Sequence, residues 1–289
     1  MSLFSHSSAP VADPRSNGQL RDAEYREVSK LVYQHSRINL GENKRELVTA
    51  RLSKRLRALG LPSYRNYLDL LGSAGGTTEL ANFVDAISTN HTYFFREETH
   101  FDFLQQTILP QMGVGLRRPF RMWCAAASSG EEPYSLAITM EEFFAQQGGS
   151  WTLDGSDIST KVLKIARDGV YPKERLQKVP LQLMRRYFQK GTSSNDGFFR
   201  VKTNLSRHMR FHQLNLLGGA YPFNEPFDTI FCRNVMIYFD KATQQELVER
   251  MTPLLQPGGY LLIGHAESLT GIKHSLKMVK PAIYQKPGK

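Results

Sequence analysis

Cysteine is scarce in this chain: 289 residues hold Cys124 and Cys232 alone, each in a hydrophobic segment and neither in a CxxC or Cys/His spacing. That excludes a disulfide scaffold and a zinc ribbon, and it fits a reducing compartment. No apolar run approaches the roughly 18 residues that cross a bilayer, so direct membrane insertion is not expected. The first twenty residues, MSLFSHSSAPVADPRSNGQL, lack the apolar core of a secretion signal. They read as a disordered tail, and the expected location is the cytoplasm. Repeats at solenoid or propeller spacing are missing, and so is GxGxxG. Acid is short relative to base: 27 Asp and Glu against 37 Lys and Arg leave a net charge of +10. That excess favours an acidic partner, whether nucleic acid, anionic membrane or acidic protein surface. What is present, 40% hydrophobic and 22% charged residues, is globular and rules out collagen-like, coiled-coil and wholly disordered chains.

From Leu20 to about Leu109 the pattern is helical. Apolar residues recur at three- and four-residue spacing over 21–35, 43–59, 63–71 and 78–88, punctuated by Gly60, Pro62, Gly72 and Gly75-Gly76. From Pro119 onward short β-prone runs alternate with helices: FRMWCA, then a helix from Glu131; WTLDGSD, then a helix from Ser159. RHMRFHQL, FDTIFCRN, a helix from Lys241, GYLLIGHA and LKMVKPAIYQK follow. This alternation predicts an α/β fold with a doubly wound, mostly parallel sheet whose last strand runs antiparallel near an edge. Residues 170–206 break the rhythm and read as an inserted short helix and a hairpin turning at Ser193–Gly197. The expected organisation is a tail over 1–20, a small all-α domain over 21–88 and a linker with a connecting helix over 89–118. The sheet domain then spans 119–289, with its β-insertion at about 170–206.

Ligands of open α/β sheets bind beyond the carboxyl ends of the strands, and the informative residues stand there. After the first strand comes the small-residue turn Ala125-Ala126-Ala127-Ser128-Ser129-Gly130, which lets a ligand approach the backbone. After the second comes Asp157, placed to take ribose hydroxyls; the third ends at Asn215-Leu216 and the fourth at Arg233-Asn234. The turn runs into Glu131-Glu132. Carboxylates suit a helix start but oppose a pyrophosphate at the same place, so a dinucleotide is disfavoured. S-adenosylmethionine fits better, because it has ribose and adenine, no phosphate, and an ammonium that a glutamate can pair. Taken singly, the Glu pair is also ordinary helix-start chemistry and Asp157 an ordinary cap. Four such signals at successive strand ends favour cofactor binding.

CAAASSGEEPYSLAI, SDIST, NLL, FDTIFCRNVMIYFD and PGGYLLIGHAES, with STNHTYFFRE over residues 88–97, resemble the chemotaxis receptor methyltransferase (CheR) family from about Tyr25 to Tyr284. The resemblance implies methyl transfer from S-adenosylmethionine to glutamate side chains of chemoreceptors, leaving S-adenosylhomocysteine and using no metal. It implies a helical N-terminal domain, a linker, and a methyltransferase sheet with an inserted β-subdomain. Residue by residue, it implies that Asn90, Thr92 and Arg96 line the cofactor and that Glu132 binds its amino-acid end, with Glu131 an open alternative. Asp157 would hold the ribose, Asn215 and Leu216 would contact adenine, and Arg233 and Asn234 would close the methionine side. Arg96 and Tyr238 would stand beside the transferred methyl. A single Gly130 replaces the several glycines of many methyltransferases, which is itself typical of this family.

A substrate glutamate, with a reference pKa of about 4.3, is already ionised at neutral pH and needs no general base. A basic stretch, Lys44 to Arg57, carries Arg51, Lys54, Arg55 and Arg57 on or beside the face opposite Val48, Leu52, Leu56 and Leu59. With the resemblance, these four cations become the expected contact with an acidic helical receptor region. A receptor C-terminal peptide docking on the β-subdomain is a second implied partner, and the GTSSNDG loop has the length expected for it. His208 and His212 read as strand residues without a third ligand, not as a metal pair. Two other readings stand beside this one. A nucleic-acid methyltransferase is opposed by Arg233-Asn234-Val235-Met236 where an Asn/Asp-Pro-aromatic tetrad belongs, and no nucleic acid is expected as partner. A non-catalytic, receptor-docking cofactor sensor is opposed by the intact pocket residues.

Overall fold

A computed structural model describes residues 20–288, so the expected tail lies outside the described residues apart from Leu20. The chain divides into two compact units. Among the described residues, one holds 20–35 and Leu40–Ile87; the other holds Ser36–Asn39 and 88–288. The helical unit is therefore discontinuous where the sequence reads as one block, and residues 88–118, the expected linker and connecting helix, group with the sheet unit.

The first unit comprises α1 (Asp22–Ser36, whose last residue groups with the sheet unit), α2 (Arg45–Leu59), α3 (Tyr64–Gly72) and α4 (Thr77–Ile87). Its ends follow local chemistry. The Ser63 hydroxyl accepts from Asn66 N–H at 3.2 Å to start α3. Gly60, at φ +65°, ends α2 in the left-handed region. Val48, Leu52 and Leu56 are buried along α2 as their spacing predicts. Leu59, expected on that face, is 39% exposed at the last position of the helix, where Gly60 turns the chain.

In the second unit α5 (Glu98–Phe103) widens into π-helical turns over Leu104–Gly113. Pro110, which has no N–H to donate, sits inside them. Then come β1 (Phe120–Cys124), α6 (Glu131–Gln147), β2 (Trp151–Asp157), α7 (Thr160–Asp168), β3 (Val170–Pro172), α8 (Leu181–Tyr187), β4 (Phe188–Lys190) and β5 (Phe198–Val201). The chain continues through α9 (Thr203–Ser206), β6 (Met209–Gln213), β7 (Phe227–Cys232), α10 (Lys241–Met251), β8 (Leu255–Ile263), β9 (Lys277–Lys280) and β10 (Ile283–Gln285). Seven strands form one sheet in the order β6-β2-β1-β7-β8-β10-β9. The first five run parallel, while β10 is antiparallel to both β8 and β9. The expected single last strand is thus a hairpin, with β9 at the edge. The small sheet β3-β5-β4 is the insertion and is antiparallel throughout.

Strand alternation sends Met122 and Cys124 into one apolar layer and Trp123 into the other, so both faces of the large sheet are covered. Strand order reverses between β1 and β7, which opens a crevice at their carboxyl ends.

Candidate active site

That crevice is a cavity of about 840 Å³, counting the space at its open mouth. It lies wholly within the sheet unit. Each strand end contributes. After β1 the chain turns through Ser128 at φ +48° and Gly130 at φ +100°. A Cβ on Gly130 would lie 2.5 Å from the Tyr171 hydroxyl, which donates to Ser129 C=O at 2.7 Å. Only glycine lets that turn close, so one glycine suffices for the tight approach. Asp157, at the end of β2, accepts from Ser128 N–H at 2.8 Å and from Ser159 N–H at 3.0 Å. It is not the cap of α7; Ser159 is, accepting from Val162 N–H. Asn215 shapes the loop after β6 through Leu217 N–H, which donates to its Oδ1 at 3.0 Å.

The structure brings Asn90, Thr92, Arg96, Glu132, Asp157, Asn215, Leu216, Arg233, Asn234 and Tyr238 to the lining of this one cavity. Glu131 is not among the lining residues. Its carboxylate is taken by the Ser129 hydroxyl at 2.6 Å and by Arg175 at 3.0 Å. The geometry therefore separates the two glutamates that the sequence leaves open.

Beneath the cavity lies a charged cluster. The Arg233 guanidinium is fully buried, 3.1 Å from Glu97 Oε2 and 3.3 Å from Glu132 Oε2. The Glu132 contact is within ion-pair distance but off the hydrogen-bonding direction, so it is Coulombic, and Arg233 Nε and Nη1 are left without a hydrogen bond. Burial pushes the Glu132 carboxyl up, and the Arg233 charge only partly offsets it. Burial also raises Glu97, but Arg233, the Asn234 amide and His265 N–H outweigh it and hold that carboxyl below its usual range. Glu97, at φ +58°, anchors Asn234 Nδ2 at 3.1 Å.

Glu97, His100 and His265 place one ligand atom each within 4.8 Å of one another. The cationic Arg233 on the same Glu97 oxygen opposes a dication there. His208 and His212 do not pair. His208 packs on the Trp151 ring at 4.7 Å, while His212 meets a carboxylate that the sequence reading lacks, Asp154 of the adjacent strand, at 2.7 Å.

The basic residues of α2 are not equivalent. Arg55 is held by the Glu79 carboxylate at 2.9 and 2.6 Å, with Tyr67 and Asn82 on the same acid. Arg51 donates to Ile87 C=O. Lys54 and Arg57 are exposed. The helical pattern places Arg55 in an outward-facing basic face; the structure instead commits its charge inside the helical unit.

Sequence reasoning missed the supporting residues. Glu97 stands in the quoted STNHTYFFRE run, and His265 and Glu267 stand in GHAES; their presence in those runs was the available signal. Ser36 and Ile38 also line the cavity, and nothing in their neighbourhood marks them.

Residues 90–284 match the CheR methyltransferase SAM-binding domain, and residues 23–88 match the CheR methyltransferase all-alpha domain. The "Chemotaxis protein methyltransferase" of Escherichia coli (strain K12) is 42% identical over 265 residues, covering 92% of this chain and 91% of that protein. "Chemotaxis protein methyltransferase 2" of Pseudomonas aeruginosa is 43% identical over 261 residues, covering 90% and 92%. A protein of the same name as the first from Borreliella burgdorferi is 40% identical over 263 residues, covering 89% and 92%.

Proposed function

This chain belongs to the CheR methyltransferase family, and from that premise we propose that it methylates chemoreceptors in the cytoplasm, esterifying glutamate side chains. One observation carries the reading. The cavity at the strand ends offers a carboxylate, Glu132, at the helix start, where a phosphate-bearing ligand needs bare N–H donors, and a second carboxylate, Asp157, one strand away.

The donor set suits S-adenosylmethionine. Glu132 pairs its ammonium, Asp157 accepts its ribose hydroxyls, and Asn215 and Leu216 flank adenine. Asn90 and Thr92 also line the cavity. Arg233 and Asn234 close the methionine side, with the buried Arg233 guanidinium in ion-pair distance of Glu132 and Glu97. When bound, that molecule supplies a methyl group activated by a sulfonium. The chain's own task is alignment. The incoming glutamate is already anionic, and its attack cancels charge. A site that bound the anion too well would favour the ground state, so orientation and exclusion of water carry the rate. Arg96 stands over the Tyr93 ring with its guanidinium donating to His91 C=O at 2.9 Å. No hydrogen bond among the described residues engages the Tyr238 hydroxyl. Arg96 and Tyr238 orient the carboxylate.

Lys54 and Arg57 on α2, with Arg51 beside them, face the acidic receptor helix. A receptor C-terminal peptide adds to the small sheet.

The test is incubation with radiolabelled S-adenosylmethionine and receptor-rich membranes. Base-labile label on receptor protein is expected, lost in Glu132→Gln at limiting donor and slowed at saturating donor in Tyr238→Phe and Arg96→Ala. Label on RNA instead, or no label on either, overturns the reading.

A further inference from the structure

Strands β7 and β8 are parallel neighbours with Cys232 opposite Ile263, so the loops leaving them emerge side by side. The β7 loop carries Asn234 and, in a 3-10 turn over Met236–Tyr238, the residue assigned above to hold the substrate carboxylate. The β8 loop carries Glu267, 8% exposed. Its Oε2 accepts from Asn234 N–H at 2.9 Å and Gly264 N–H at 2.5 Å, while its Oε1 accepts from Ile237 N–H at 3.2 Å. Among the described residues no cation pairs with it; burial raises its carboxyl, and the backbone N–H donors only partly offset that.

A buried carboxylate without a counter-ion is expensive, and this one spans its neighbour loop at two points three residues apart. Asn234 sits at φ +57°, in the left-handed region that asparagine tolerates better than most non-glycine residues. Gly264 leaves no slack, since a Cβ there would lie 2.3 Å from Asn234 Nδ2 and 2.9 Å from Glu267 Oε2. On the far side, Asn39 N–H donates to Tyr238 C=O at 2.8 Å. The loop is thus held from both sides, by the acid and by the Asn39 N–H.

We propose that Glu267 is a positioning residue for methyl transfer, a carboxylate template that fixes the Asn234–Tyr238 loop so that Tyr238 meets the incoming carboxylate. This rests on the function proposed above. Replacing one carboxylate oxygen by an NH₂ group sets a donor against backbone donors, and a displacement of about 1 Å in an aligning group can cost on the order of 10²-fold in rate.

The experiment is a double-mutant cycle read by single-turnover receptor methylation at saturating donor. Glu267→Gln is expected to slow the step at least about tenfold in the parent and less than about twofold in the Tyr238→Phe background, because a residue acting through Tyr238 has nothing left to position. Gly264→Ala presses a methyl group on both the Asn234 amide and the Glu267 carboxylate, leaves both side chains chemically intact, and is expected to show the same non-additive loss. Cooperative urea unfolding with a midpoint close to that of the parent shows that the variants are folded. Equal losses in both backgrounds, or no loss, overturn the proposal. A parental rate in Tyr238→Phe alone is the separate sign that the active-site reading, and with it this one, has failed.

Discussion

His100 shows how burial, reinforced by neighbouring cations, sets a charge state. It is 1% exposed, its ring nitrogens have no hydrogen bond, and it stands edge-on to His265 at 4.5 Å. Burial, then the charges of Arg233 and His265, push its pKa down to about 3, against a weaker pull from Glu97. The unfolded chain takes up this proton near pH 6.5 and the folded chain does not, so this residue's contribution to stability is intact above about pH 6.5 and erodes as pH falls toward 3. His100→Phe loses no hydrogen bond and is expected to flatten the urea midpoint against pH across that window; a slope equal to that of the parent counts against it. At this scale the sequence was informative about which residues reach the pocket and poor about how they are held. Asp157 and Arg233 are legible because strand ends point at the crevice. Glu97 and Glu267 are not, because their partners are backbone groups and a buried guanidinium distant along the chain.

Helix α2 separates stability from recognition within one element. Arg55 and Lys54 are adjacent in sequence, yet one closes an ion pair with Glu79 and the other faces solvent. Burial raises the Glu79 carboxyl, but hydrogen bonds from Arg55, Tyr67 and Asn82 outweigh it and hold it below its usual range. Arg55→Met should destabilise the helical unit by about 2–3 kcal/mol, because it strands a mostly buried acid. Its receptor KM should stay near that of the parent. Lys54→Glu with Arg57→Glu should do the reverse, raising the receptor KM several-fold with an unchanged melting temperature. Helical periodicity revealed the apolar stripe of α2 but not which cation a distant helix would claim. The same limit applies to LKMVKPAIYQK. Its turn is Pro281 followed by Ala282 at φ +63°, and alanine is not the residue that announces a left-handed turn. Two strands therefore read as one. The parallel strands, by contrast, are apolar runs separated by capped helices and were legible almost to the residue, as Trp151–Asp157 shows.

Over the whole molecule the net charge of +10 acts at a distance. Against an acidic receptor it should speed encounter, so kcat/KM for the receptor should fall about tenfold from low to high salt while donor affinity changes little. Equal salt sensitivity of both would point away from an acidic macromolecular partner. The fold itself was readable from strand–helix alternation. The discontinuity of the helical unit was not, because four residues, Ser36–Asn39, are too few to leave a pattern. The two cysteines have a practical consequence of their own. Both are fully buried on neighbouring strands of the large sheet, and burial lifts both thiols well above their ordinary range. A thiol-selective alkylating dye can reach them only when the sheet parts. Labelling kinetics thus become a tag-free clock for the opening of the catalytic half, and a bound donor analogue should slow it.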